Sequence, residues 1–180
     1  MPVWTGKDMV PYFRNPGTIP MEIEGPLRSD QVQPNGIDLR LDKIFEVWGS
    51  PSLSSDPAFT EMPMHREILP GQVAGLAEEG WYLDSGTTKG YYLVEWLETI
   101  EIPPNAVGLI SPRSTLLRMG AWMAGSVWDR GYKGKGRSGL IIKQDLLLER
   151  GVRLAQMIFM NAKEDDTLYD GQYQHEQIQI

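Results

Sequence analysis

The chain predicts an all-β domain of the sandwich or barrel kind, and three observations predict it. Glycine (19) and proline (13) recur along the whole 180 residues and cut the sequence into short pieces. The pieces between these turn signals are β-rich, as expected where many short strands fold on one another. Helical patterning is confined to two short stretches. No fixed-period repeat and no break in composition marks a second domain, so residues 1–180 form one unit, long enough to bury a core without disulfide or metal support.

The elements follow in chain order. A short helix is expected over Asp8–Phe13, capped by Thr5 or Asp8. In QPNGIDLRL, Pro34, Asn35 and Gly36 form a turn into a strand over Gly36–Leu41, where Asp38 and Arg40 alternate with Ile37, Leu39 and Leu41. That alternation predicts a half-buried strand with one polar face. A second strand is expected over Ile44–Trp48. Residues 49–90 are rich in Ser, Pro, Gly and acids; SPSLSSDP and LDSGTTKG look like loops, and GQVAGLAEEGWYL like a poorly patterned strand pair. Strands are expected again at Tyr91–Trp96 and Val107–Ile110, then a short helix over Ser114–Met119 with Ser114 as its N-cap. The strand in ERGVRLAQMIFM places Val152, Leu154, Gln156 and Ile158 on one face and Arg153, Ala155, Met157 and Phe159 on the other. The polar end, NAKEDDTLYDGQYQHEQIQI, is either a frayed tail or a segment that folds over a ligand or a neighbouring subunit.

Composition narrows the function. Absence of cysteine rules out disulfides and thiolate metal sites, and with His65 and His175 as the only histidines it argues against zinc. No basic flank precedes an apolar run at the start, and no segment reaches the roughly 20 apolar residues that cross a bilayer, so a soluble, cytoplasmic protein is expected. A net charge of −7 argues against nonspecific duplex binding. The charge is unevenly spread. Between Arg113 and Arg153 stand nine Lys or Arg and three Asp or Glu, a net +6, which leaves −13 elsewhere. A basic stretch interleaved with glycine suits a polyphosphate ligand, although a solvated face has the same composition.

Four segments could carry chemistry. In SPRSTLLRMG, Arg113 and Ser114 open the short helix and Arg118 lies one turn on, an arrangement that suits either an anion or an ordinary N-cap with solvent-facing arginines. In AGSVWDRGYKG, Asp129 ends a β-like run; it could accept a proton from water, or simply hold a turn. Tyr132 beyond it is a ligand platform or a packed core aromatic. Gln156 must find hydrogen-bond partners in its strand, which a phosphate oxygen or a neighbouring backbone would supply. Asp38 beside Arg40 is compatible with plain solvent-face charge, the view also taken of Lys133, Lys135, Arg137 and Arg150.

In order and spacing, QPNGIDLRL, SPRSTLLR, GSVWDRGYKG and GVRLAQMIF resemble the motifs of the trimeric dUTPase and dCTP deaminase superfamily, over about residues 32–174. YLVEWLETIEIPPNAVGLI is similar to the strand pair before the second motif. The resemblance implies a distorted β-barrel or jelly-roll with one or two short helices, assembled as a homotrimer with sites between subunits. It implies Asp129 as the base that activates water, with Arg118 as a second catalytic residue. Arg113, Ser114, Thr115 and Gln156 would bind phosphates, Tyr132 would pack on the deoxyribose, and the turn Ala124, Gly125 and Ser126 would recognise the pyrimidine. Tyr169 and Gln174 of the tail would also touch substrate. Asp38 would help position a water on Mg²⁺, the implied cofactor, or a neighbouring subunit's site, and dUTP would be the small-molecule partner, with no nucleic acid or membrane. The deaminase branch places a Glu on the strand after the aspartate motif, and here that strand reads SGLIIKQ. A dUTP pyrophosphatase is therefore expected, with a dCTP deaminase or bifunctional enzyme, or a non-catalytic nucleotide-binding regulator, as alternatives. The tail YDGQYQHE looks like the deaminase type, with Gln172 where that branch usually has Lys.

Overall fold

The computed structural model describes residues 2–14, 27–163 and 167–176. In chain order these form helix α1 (Gly6–Met9), β1 (Phe13–Arg14), β2 (Val32–Gln33), β3 (Gly36–Trp48), β4 (Met64–Ile68), β5 (Gly80–Leu83), β6 (Tyr91–Trp96), β7 (Thr99–Glu101) and β8 (Ala106–Pro112). Helix α2 (Ser114–Arg118) follows, then β9 (Ala121–Ala124), β10 (Val127–Trp128), β11 (Lys133–Gly134), β12 (Arg137–Ile142), β13 (Leu146–Glu149) and β14 (Arg153–Asn161). A curled antiparallel sheet in the order β10-β8-β14-β3-β6-β12-β9, with β2 and β4 also on β3, carries the fold; β1-β7-β11 and β13-β5 complete it. This is the distorted barrel that the sequence leads one to expect. Among the described residues no helix is long and apolar enough to cross a membrane.

The two strands expected between residues 36 and 48 are one. β3 pairs with β14 through Ile37–Arg40 and with β6 and β4 further on, and its register with β6 shifts between Leu41 and Lys43. A bulge of this kind bends a strand and re-aims a side chain, so the sheet curls at Asp42. Ile37, Leu39, Leu41 and Ile44 are wholly buried with Tyr92, Val94, Trp96, Met157 and Phe159 in one core. On β14 the core face is Ala155, Met157 and Phe159; Gln156 and Ile158 are half-buried.

The expectation of a polar, solvated face on β3 is overturned. Asp38, Arg40 and Asp42 are buried alongside their apolar neighbours. Glu98, fully buried, accepts from Arg40 Nε at 2.7 Å, from the Arg40 N–H at 3.0 Å and from Gln31 Nε2 at 2.8 Å. Asp42 is bound at 2.7 Å by both Lys135 Nζ and Arg150 Nη2. A carboxylate leaves water only where cations and hydrogen bonds replace its hydration, and these do.

Helix α1 is shorter and earlier than expected. Thr5 caps it by accepting from the Asp8 N–H, and a 3₁₀ turn over Val10–Tyr12 with Pro11 ends it. In α2 the N-cap position is Arg113, without a side-chain bond, so Ser114 opens the helix rather than capping it. Residues 49–90 supply β4 and β5; inside GQVAGLAEEGWYL the pairing is a single antiparallel bridge between Gly71 and Gly80, and β5 otherwise pairs with the distant β13.

Burial acts against the charge of Asp42, but hydrogen bonds and charge from Lys135 and Arg150 outweigh it and hold the pKa below its ordinary 3.8. A depressed carboxylate stabilises the fold above its unfolded pKa and loses that contribution as pH falls through the folded value. Urea denaturation should therefore show Asp42→Asn less stable by about 3 kcal/mol at neutral pH, with the deficit shrinking below about pH 4.

Candidate active site

A cavity of about 550 Å³ opens between the turn after β10, the segment Met62–His65 and the end of the chain. Trp128, Tyr132, Tyr169 and Tyr173 wall it, Leu93 of β6 contributes to its lining, and Asp129 and Arg137 face it. Tyr132 packs edge-on to Trp128 at 5.0 Å and to Tyr169 at 5.6 Å, so it is both a core aromatic and a cavity wall. Its hydroxyl is buried without a hydrogen bond to the described residues, and burial pushes its pKa far up.

Asp129 is held by its backbone. Its carbonyl accepts the Tyr132 N–H at 3.2 Å, which closes the turn around Gly131, whose φ is +81°. The carboxylate is exposed and makes no hydrogen bond to the described residues. Satisfying turn N–H groups is thus not its role, and it remains available to accept a proton. Ser126 lines the cavity as well, whereas Ala124 and Gly125, both exposed, lie beside it at the end of β9.

Residues 167–176 of the tail are not frayed. Residues 167–176 return over their own chain: the Tyr169 N–H donates to the Arg130 carbonyl at 2.8 Å and the His175 N–H to the Lys133 carbonyl at 2.7 Å. Gln174, one of the residues expected to touch substrate, clamps the tail in this structure. It accepts from the Lys133 N–H at 2.8 Å and donates to the carbonyls of Gly131 at 2.9 Å and Tyr169 at 3.3 Å. Glu176 reaches the cavity, where burial pushes its carboxyl up and the charge of Arg137 pulls it back.

The phosphate candidates gather elsewhere. Asp38 lies opposite Gln156, which lies opposite Ser111 of β8. Gln156 covers Gly36, where a Cβ would lie 3.0 Å from its Cγ and 2.4 Å from the Met157 carbonyl oxygen. Arg113 Nε meets Asp38 at 3.1 Å and Arg153 Nη1 meets it at 3.3 Å. Burial raises the pKa of Asp38 and the two guanidinium groups oppose that rise. Ser114, Thr115 and Arg118 are exposed on α2, with Arg118 making only a 3.5 Å bond to the Ser114 carbonyl.

The basic segment is largely neutralised. Arg113 and Arg153 pair with Asp38, Lys133 with Glu101, Lys135 and Arg150 with Asp42, and Arg137 with Glu95, while Arg130 holds the carbonyls of Lys163 and Thr167. Lys135 and Arg137 are not surface charge: their side chains are 11% and 18% exposed. Of this segment's cations, Arg118 and Lys143 are left without a carboxylate partner among the described residues. They are neighbours, since the Lys143 N–H donates to the Gly120 carbonyl just beyond α2. Lys143, Arg137 and the Met62–His65 wall carry no motif, which is why patterning alone passes over them.

The two groups sit at opposite ends of one strand. Trp128 lies opposite Gly108 of β8, and Arg113 follows the far end of that strand, five residues or about 16 Å along. A chain that curls an antiparallel sheet around one core and walls a nucleoside-sized cavity with aromatics is a nucleotide-binding type of β-protein. The family model described as dCTP deaminase-like matches residues 17–162, and the chain belongs to that family. Archaeal relatives extend the likeness. A protein of Halobacterium salinarum named as a probable deoxyuridine 5'-triphosphate nucleotidohydrolase is 32% identical over 84% of this chain and 87% of its own length. The deoxyuridine 5'-triphosphate nucleotidohydrolase of Methanocaldococcus jannaschii is 32% identical over 82% and 89%. The 2'-deoxycytidine 5'-triphosphate deaminase of Agrobacterium tumefaciens shares the fold, with a TM-score of 0.59 at 19% identity over 87% of this chain; the chain spans 47% of that protein.

If Gln174 is the clamp, Gln174→Ala should raise hydrogen exchange of residues 167–176 about tenfold while the amides of β3 and β14 stay protected. Unchanged exchange in the tail would remove the clamp.

Proposed function

We propose that the chain is a dUTP pyrophosphatase that releases dUMP and pyrophosphate. The observation that carries this reading is Asp129, an exposed carboxylate without a partner among the described residues, beside an aromatic cavity of nucleoside size. Asp129 takes a proton from water, the water oxygen bonds to the α-phosphorus, and the bond to the bridging oxygen breaks so that pyrophosphate leaves. The names of the archaeal relatives agree with this substrate.

The deaminase alternative lacks its proton shuttle. β12 carries no carboxylate from Arg137 to Ile142, and a Cβ on Gly139 would lie 3.0 Å from the Tyr91 ring. Removing the amine of dCTP requires a group that moves protons between water and nitrogen, and none faces the cavity from that strand.

The separation along β8 supports a homotrimer with shared sites. An α-phosphorus within about 3 Å of a water on Asp129 is out of reach of the same chain's α2. In the assembly, Arg118, with Ser114 and Thr115, binds the phosphates of a nucleotide whose base lies in another copy's cavity. Arg113 contributes by fixing the start of α2, since it is bonded to Asp38 and to the Arg153 carbonyl.

The residues do not fit a protein-held metal. Among those described, no three His, Asp or Glu are grouped to hold a cation, and the buried Asp38 carboxylate is bound to two guanidinium groups. Mg²⁺ therefore enters as part of the substrate, on the triphosphate oxygens. Treatment with EDTA should leave the Tm unchanged while halting turnover, and a fall in Tm would reveal a resident ion.

Asp129→Asn should lower dUTP turnover about a thousandfold, read as dUMP by chromatography, with nucleotide binding retained. Arg118→Ala should be similarly inactive, and co-refolding the two inactive variants should restore part of the activity. A mixture that stays inactive would place both residues in a site formed by one chain. Tight dUTP binding by the wild type without any product would make the chain a regulator instead.

A further inference from the structure

The base end of the cavity holds one permanent cation among its lining residues, Arg137, and its setting is that of a built recognition group. The guanidinium lies 4.2 Å from the centroid of the Phe45 ring. Its Nε and Nη2 both lie 3.1 Å from Glu95 Oε2, and its Nη1 is 3.3 Å from His65 Nε2. Glu176 Oε1 stands 3.8 Å from Nε. Glu95 is fully buried and meets Lys43 Nζ at 3.5 Å on its other oxygen. The fork is therefore fixed from behind and from both sides, while N–H groups on Nη1 and Nη2 remain without partners among the described residues.

The cavity does not suit the phosphates. Its lining carries the carboxylates of Asp129 and Glu176 against Arg137, and Arg118 and Lys143, the cations of the basic segment without a carboxylate among the described residues, lie toward the far end of the sheet. What enters is the nucleoside, its sugar against Tyr132 and its uncharged, planar base toward Ser126, Leu93 and Arg137. A guanidinium has donors only and keeps its charge at any physiological pH, so the edge of the base that meets it must offer an acceptor. Uracil presents an oxygen at position 4, where cytosine presents an amine. We propose that Arg137 is a specificity-determining residue that donates to O4 of a 4-oxo-pyrimidine and rejects cytosine by placing donor against donor. The inference rests on the pyrophosphatase reading for the placement of the base, and it names what that site selects.

The test uses binding of nucleoside monophosphates by calorimetry, which needs no turnover. Wild type should prefer dUMP to dCMP, and Arg137→Gln should bring the ratio of affinities at least tenfold closer to parity, because an amide turns either its oxygen or its nitrogen to the base. Arg137→Gln alone leaves Glu95 buried and unpaired, so the double variant Arg137→Gln/Glu95→Gln serves where the single one does not fold. A ratio within twofold of wild type in either folded variant overturns the proposal. The wild-type chain supplies an independent measure: the deoxyribonucleoside monophosphate of pyrimidin-2-one, which lacks O4, should bind at least tenfold more weakly than dUMP. Equal affinity overturns the proposal. A chain that prefers dUMP through Arg137 yet hydrolyses no dUTP would instead overturn the pyrophosphatase reading alone.

Discussion

Four carboxylates, Asp38, Asp42, Glu95 and Glu98, lie inside this small β-domain, and neutralising them is the constraint on which the rest depends. Each would cost several kcal/mol if buried alone, a large part of what a domain of this size has in total. Their partners come chiefly from one place. Arg113, Lys135, Arg137, Arg150 and Arg153 all belong to the basic stretch between residues 113 and 153, and all reach back to acids on β3 and β6. The uneven charge along the chain is thus resolved by folding, and long-range ion pairs help to set which strands meet.

The same pairs shape the cavity. Glu95 holds Arg137, and Arg137 draws in Glu176, so an ion pair inside the sheet continues into the docking of the tail. The Gln174 amide and the backbone bonds at Lys133 and Lys135 fix that tail on the turn that also carries Asp129 and Tyr132. Wall, turn and tail are therefore one mechanical unit, and a change in any of them is transmitted to the carboxylate on which hydrolysis is proposed to depend.

Legibility followed the range of the interaction. Strands whose alternation is local, Tyr91–Trp96 and those in QPNGIDLRL and GVRLAQMIF, were evident because apolar periodicity is visible within a few residues. Asp129 and Tyr132 stood out for the same reason, since a Gly turn after an apolar run is a local signal. Asp38 and Arg40 read as solvent-face charge because the residues that bury them, Glu98, Arg113 and Arg153, lie some 60 to 115 positions away. The clamp made by Gln174 was hidden for a similar reason: a polar tail residue looks free until the turn it clamps is brought beneath it. The part played by residues 49–90, which wall the cavity with Met62, Pro63 and His65, has no periodic pattern to betray it.

Pairing also explains which cations are left to work. Once the buried acids have taken their partners, Arg118 and Lys143 of the basic stretch remain without a carboxylate among the described residues, near each other through the Lys143–Gly120 backbone bond and about six residues of β12, some 20 Å, from the Arg137 end of that strand. A guanidinium already bonded to a buried carboxylate has little to gain from a phosphate, whereas an exposed, unpaired one loses only water. The basic excess is therefore a poor guide to the phosphate site, and the residues without partners are a better one. Their distance from Asp129 is the strongest physical reason for proposing more than one copy: the fold places the carboxylate proposed to activate water and these exposed cations toward opposite ends of one sheet, and a second chain would bring such ends together.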